Sequence, residues 1–272
     1  CTSTTTGTSG RLPDMTKALT PVERLVARDK LVVSAALTAV ILASWGYLGI
    51  GAGMEMPASM SDMAMPVSPA TWTPGLAATM FVMWCVMMAA MMLPSAAPVI
   101  LLYAALARRS GGRGSTLLLA SGYVLVWCGF SLIAVVAQWI LVRQGLLAEM
   151  RSTSVSLSGG LLLMAGVYQL TPAKSVCLKK CRSPAQVLTQ GWRPGPDGAW
   201  QMGLRHGLYC VGCCWAIMLL LFWGGVMNIA WIAALAGFVL FEKLVSPRPA
   251  LDRLIAWVMI GAGATLILVG LR

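Results

Sequence analysis

Charge is what this sequence has least of: 11% of its 272 residues are charged and 58% are hydrophobic, a balance far outside that of soluble globular domains. Histidine occurs once, at position 206. A single imidazole excludes a bis-histidine haem, and without a CxxCH segment haem cannot be attached covalently either. P-loop, HExxH and GxSxG patterns are all absent, which removes the common routes to nucleotide, zinc-protease and serine-hydrolase chemistry. Only nine residues are acidic. Few of them fall in apolar stretches, so neither a carboxylate proton relay nor an oxygen-lined site for hard cations is expected. A net charge of +11 would suggest nucleic acid if a polar domain carried it. No such domain remains once the apolar runs are set aside, and no nucleic-acid partner is expected.

What is present in abundance is long apolar runs. A spanning helix needs about 20 mostly apolar residues, and seven stretches qualify: 31–50, 76–106, 116–142, 155–171, 204–223, 226–242 and 252–270. The chain therefore reads as all-α, a polytopic transmembrane helix bundle of about seven spans in a lipid bilayer. The fourth and sixth stretches are short, and the tight connection from Trp223 to Asn228 leaves open that the fifth and sixth form one re-entrant segment. Short loops rich in Lys and Arg stay cytoplasmic. With the N-terminus cytoplasmic, 17 of the 20 basic residues lie inside, and only Arg143, Arg151 and Arg272 lie outside. The net charge is thus mainly a topology signal.

Residues 1–30 read as a Ser/Thr-rich disordered tail followed by a short charged cytoplasmic segment. Residues 31–272 read as the membrane domain, with an outer loop at 51–75 and an inner loop at 172–203. The sequence starts at Cys1. A lipid-modified mature protein could start so, but five basic residues would then lie outside, against the charge rule; a truncated or mis-started reading frame is the expectation. No cleavable signal peptide is expected, because the first apolar stretch is long enough to span and no small-residue cleavage site follows it.

Eleven of the 18 methionines fall between positions 54 and 92. Met54, Met56, Met60, Met63 and Met65 occupy the outer loop, in MEMPASMSDMAMP, where Pro and small residues give the thioethers no core to fill. Thioethers are soft ligands that suit Cu(I) and need no deprotonation; the alternative is a greasy loop lying among lipid headgroups. Met80, Met83, Met87 and Met91 are spaced by three, four and four on the second span, so they share one helical face. Pro94 continues that face and leaves the Ala90 carbonyl without its helical partner. A methionine stripe is often packing alone. Directly below a Met-rich loop it also has the form of a ligand ladder.

Cysteine numbers eight. Cys210 and Cys213 share a helical face with His206, and Cys214 lies at its edge. Gly203, Gly207 and Gly212 leave room for close helix approach. Three thiols and one imidazole form a soft set suited to Cu(I), with zinc second, although one helix cannot wrap a metal and another span must contribute. Cys177 and Cys181, in KSVCLKKCR, point the same way if that segment is helical. Two such ligands make a transfer site, a half-site shared with a partner, or a redox pair; the alternative is a pair of surface thiols beside a basic patch on the lipid surface. Cys85 and Cys128 read as packing residues. Tyr168, Gln169 and Thr171 either line a cavity or end a helix. Glu242 and Lys243 pair or snorkel, with no role assigned.

Three segments, MWCVMMAAMMLPSAAP, GVYQLTPAKSVCLKKCRSP and GLYCVGCCWAIM, resemble a bacterial family of integral membrane proteins described as predicted metal-binding and sometimes as copper chaperones. The resemblance covers residues 31–271 and excludes the Met-rich loop and the tail. It carries over Met87, Met88, Met91, Met92 and Pro94; Tyr168, Gln169, Pro172, Lys174, Cys177 and Cys181; and Cys210, Cys213, Cys214 and Trp215. It implies metal binding, with copper as the expected ion, in the bacterial cytoplasmic membrane. The resulting expectation is a Cu(I)-handling protein that is not an enzyme. It collects the ion at the outer loop, holds it at His206, Cys210, Cys213 and Cys214, and passes it through Cys177 and Cys181 to an acceptor protein or a membrane oxidase or oxygenase. A membrane thiol oxidoreductase and a ligand-free scaffold subunit are the alternatives.

Overall fold

The computed structural model of the protein describes residues 21–50, 72–107, 115–148, 151–152, 154–183, 186, 188–189, 195–244 and 249–271. Met54, Met56, Met60, Met63 and Met65 lie outside the described residues. All seven apolar stretches fold as helix. In chain order the elements are α1 (Pro21–Gly49), α2 (Pro74–Ala107), α3 (Ser115–Arg143), a two-residue antiparallel pair β1 (Leu147–Ala148) and β2 (Arg151–Ser152), α4 (Val155–Gln169), α5 (Pro172–Arg182), α6 (Pro196–Met218), a single turn α7 (Leu221–Gly224), α8 (Ile229–Leu244) and α9 (Pro249–Gly270).

Five of these segments are long and apolar enough to cross a membrane: the apolar part of α1, α2, α3, α6 with α7, and α9. A sixth is reached if α4 and α5, bent by 68° across a short break, count as one span. The seventh expected span, α8, has 16 residues. At 1.5 Å per residue it is about 24 Å long, short of the roughly 30 Å hydrocarbon core. The architecture is a polytopic transmembrane helix bundle.

Glycine sets how closely the helices approach. Without an aqueous driving force, membrane helices associate through close backbone contact at small residues. On α3 and α6, a Cβ at Gly122 would stand 2.6 Å from the Trp200 carbonyl oxygen, one at Gly203 would collide with the Leu119 carbonyl, and one at Gly207 would stand 2.9 Å from Val126 Cβ. On α4 and α9, a Cβ at Gly159 would lie 2.7 Å from the Gly263 carbonyl oxygen, and one at Gly166 would lie 2.9 Å from that of Ala256. The outward faces carry exposed apolar residues such as Leu117, Ile133, Leu254 and Trp257, as a lipid-facing surface requires.

Local sequence places two bends, one before α5 and one before α8. Thr171 caps α5 by accepting from the Lys174 amide at 3.3 Å, and Pro172 occupies the first helical turn, where its missing N–H costs nothing. The segment first taken as a loop with a possible helical turn is therefore a defined helix, turned away from α4. After α7, Gly225 adopts φ +97°, a conformation that side chains disfavour. Asn228 then accepts from the Trp231 amide at 3.2 Å, and the Trp231 indole donates to the Leu220 carbonyl at 2.9 Å. These contacts fix the start of α8, which packs on α2, α5 and α6.

Candidate metal centre

Four thiols and one thioether gather where α2, α5 and α6 meet beside α8. Cys210, Cys213 and Cys214 on α6 and Cys181 on α5 are all buried. Cys213 Sγ lies 3.8 Å from Cys181 Sγ, and Cys214 Sγ lies 4.0 Å from Met92 Sδ. The thiols of Cys213 and Cys214 donate to the Cys210 carbonyl at 3.1 and 2.7 Å, local bonds that the i to i+3 and i+4 spacing allows. Cys177 Sγ rests against α6 at Gly212, where a Cβ would come within 2.8 Å of it. Both α5 cysteines therefore face α6, as a helical reading of KSVCLKKCR requires.

Tyrosine and lysine complete the inner wall. The Tyr123 hydroxyl of α3 donates to the Met92 carbonyl at 3.0 Å and lies 3.0 Å from Cys210 Sγ. Lys243 on α8 is buried, with its Nζ donating to Cys210 Sγ and to Ser95 Oγ, each at 2.9 Å. One residue earlier, the Glu242 carboxylate accepts from Lys174 Nζ at 2.7 and 2.9 Å and from Gln169 Nε2 at 3.1 Å. Arg182 Nε donates to the Glu242 carbonyl at 2.7 Å. Tyr168 donates to the Gly212 carbonyl and meets Trp215 edge-on, with ring centroids 5.0 Å apart. Lys174 and Glu242 thus brace α5 against α8, Gln169 ties the end of α4 to the same carboxylate, and Tyr168 braces α4 against α6.

The methionine stripe and the histidine stand differently from the thiols. Met80, Met83, Met87 and Met91 are all buried in the α2 core. The α2 methionine within reach of a thiol is Met92, on another face of the helix. His206 is buried one turn from Cys210, and its ring stacks on Tyr123 with centroids 5.5 Å apart. Its Nδ1 has no hydrogen-bond partner among the described residues.

Sulfur spacing decides whether the centre fits a soft metal ion. With metal–sulfur bonds of about 2.3 Å, the zinc–thiolate value, the sulfurs of a trigonal or tetrahedral site stand about 3.8 to 4.0 Å apart. Cys181 with Cys213 and Cys214 with Met92 match that spacing pair by pair. Among the described residues no three His, Cys, Asp or Glu side chains already converge as a ligand set. The donors fit a soft ion chemically, as two sulfur pairs.

Three residues of this arrangement went unassigned in the sequence: Tyr123, Glu242 and Lys243. For the last two a signal existed, since ionisable side chains next to a span are rarely idle. Their position at the end of the apolar run made them indistinguishable from snorkelling residues.

Fold and centre together define a polytopic helical protein of membrane type with buried soft donors supplied by three helices. The sequence model of the PpoB2 family, described as a copper chaperone, matches residues 81–266, about two-thirds of the chain, and the protein belongs to that family. The match contains every residue of the sulfur centre and begins after the Met-rich loop. No curated protein and no solved structure matches the chain.

Proposed function

We propose that the protein binds Cu(I) between α2, α5 and α6 and transfers it to an acceptor protein on the cytoplasmic side of a bacterial inner membrane. The observation that carries this reading is the meeting of Cys213 with Cys181 at 3.8 Å and of Cys214 with Met92 at 4.0 Å. The first pair joins positions 32 residues apart and the second positions 122 apart, buried together in a family of copper chaperones. Thiolate and thioether donors in a site closed to water favour Cu(I) over hard cations; zinc is the lesser alternative.

Each element then has a task. Cys210, Cys213, Cys214 and Met92 hold the ion, and buried His206 stands one turn away as a further ligand. Cys181 touches the α6 cluster and Cys177 follows it four residues earlier on the same helix face, so α5 offers a stepwise exit from sulfur to sulfur. The α2 methionines Met80, Met83, Met87 and Met91, with Met54, Met56, Met60, Met63 and Met65 of the outer loop, form the supply side. The N-terminus is cytoplasmic, as the distribution of basic residues requires. Direction follows ligand affinity and the acceptor, which is a soluble metal-binding protein or a membrane oxidase or oxygenase.

The test is Cu(I) content and affinity of anaerobically purified protein under a competing chelator, comparing the wild type with Cys210→Ser/Cys213→Ser/Cys214→Ser. Stoichiometric copper in the wild type, lost in a folded triple variant, is the expected result. No tight copper in a wild type with intact thiols overturns the reading. The contact between Cys181 and Cys213 favours one second reading, a dithiol–disulfide couple linked to a membrane quinone. That reading predicts metal-free turnover of the two thiols when quinone is added.

A further inference from the structure

We propose that Lys243 is the counter-ion of the copper-loaded centre, its ammonium offsetting one unit of the negative charge that the cysteine thiolates leave on a bound Cu(I) ion. The inference rests on the copper reading above and adds a residue that is not a ligand. Lys243 is buried, and its Nζ has two hydrogen-bond partners, Cys210 Sγ and Ser95 Oγ, each at 2.9 Å. The adjacent carboxylate of Glu242 is engaged by Lys174 and Gln169. On α5, Lys174 and Arg182 are directed at the Glu242 side chain and carbonyl, and α5 also carries Lys179 and Lys180, while α6 carries Arg205 and, in its first turn, Asp197. α2 contributes Met92 and Ser95, and α3 contributes Tyr123. Among the described residues no carboxylate pairs with Lys243.

A buried ammonium without a carboxylate partner is strongly unfavourable in a low-dielectric interior. Sulfur supplies the missing charge. One monovalent cation on the thiolates of Cys210, Cys213 and Cys214 carries a net charge of minus two, and Lys243 beside Cys210 lowers the charge of the buried assembly to minus one. The same charge can act in the opposite sense, by repelling an incoming cation. The two possibilities predict opposite signs for removal of the lysine, which makes the inference testable. Because Lys243 acts through Cys210, it is a positioning and charge-balancing residue.

The experiment measures Cu(I) affinity by chelator competition at one fixed pH in the full-length protein, anaerobically, for the wild type, Lys243→Gln and Lys243→Arg. Gln keeps a hydrogen-bond donor and removes the charge; Arg keeps both. Loss of a buried counter-ion predicts that Lys243→Gln weakens binding by at least about a hundredfold, while Lys243→Arg stays within about tenfold of the wild type. Equal or tighter binding by Lys243→Gln overturns the counter-ion. If Lys243→Gln does not fold, Lys243→Arg decides, because a hundredfold loss in that folded, charge-preserving variant also overturns it. A wild type that binds no Cu(I) fails the proposed function itself, an outcome distinct from either variant result.

Discussion

Replacing Glu242 by alanine should detach α5 from α8 and open the sulfur centre from its inner end. Glu242 and Lys174 are 6% and 3% exposed, and the carboxylate takes both ammonium contacts and the Gln169 amide. Removing one member of a buried ion pair leaves the other charge without compensation, which costs about 3 to 5 kcal/mol. Lys174 sits in the first turn of α5, so its long side chain can turn outward, and the lower figure of about 3 kcal/mol is expected. Replacing both residues by apolar ones of similar size, Lys174→Met with Glu242→Leu, should restore stability to within about 1 kcal/mol of the wild type. Reversible unfolding in mixed micelles, followed by helical circular dichroism, measures both. Maleimide labelling of Cys181, buried at 7% exposure, reports the local consequence and should speed up in Glu242→Ala alone. A loss below about 1 kcal/mol, or a double variant as unstable as the single, refutes the claim that this pair holds α5 in place.

Three further outcomes follow from the same contacts. Gly203→Leu forces a side chain into the Leu119 backbone, so the folded, monodisperse fraction in detergent should collapse, as size-exclusion chromatography would show; normal yield would contradict the α3–α6 contact. Gly212→Val pushes against Cys177 Sγ and should raise the labelling rate of Cys177 while the bundle still folds. Met92→Leu conserves volume and should change stability by less than about 1.5 kcal/mol, yet it should weaken Cu(I) binding in chelator competition if the thioether ligates.

Much of the helical layout was legible because membrane helices announce themselves by apolar length alone, and each of the seven stretches is helical. Tyr168, Gln169 and Thr171 read as lining a cavity or ending a helix, and the 68° bend between α4 and α5 depends on α5 packing against α6 and α8, which local sequence does not encode. At the centre, helical spacing correctly brought Cys210, Cys213 and Cys214 to one region and pointed Cys177 and Cys181 together. It could not reveal that Cys181 touches Cys213, since that contact joins two helices. The stripe of Met80, Met83, Met87 and Met91 was visible as a periodicity, whereas Met92 reaches Cys214 from a different face. Lys243 was hidden for a simpler reason: a lysine at the end of an apolar run looks the same whether it reaches out to lipid headgroups or inward to a thiol.

The central claim is that sulfurs from α2, α5 and α6 hold one copper ion together. X-ray absorption at the copper edge of Cu(I)-loaded protein tests it most directly. The account predicts coordination dominated by sulfur at about 2.3 Å, with a sulfur lost in Met92→Leu or Cys181→Ser and the site abolished in the triple Cys210, Cys213 and Cys214 variant. Oxygen or nitrogen neighbours alone, or a spectrum unchanged in all three variants, would contradict it.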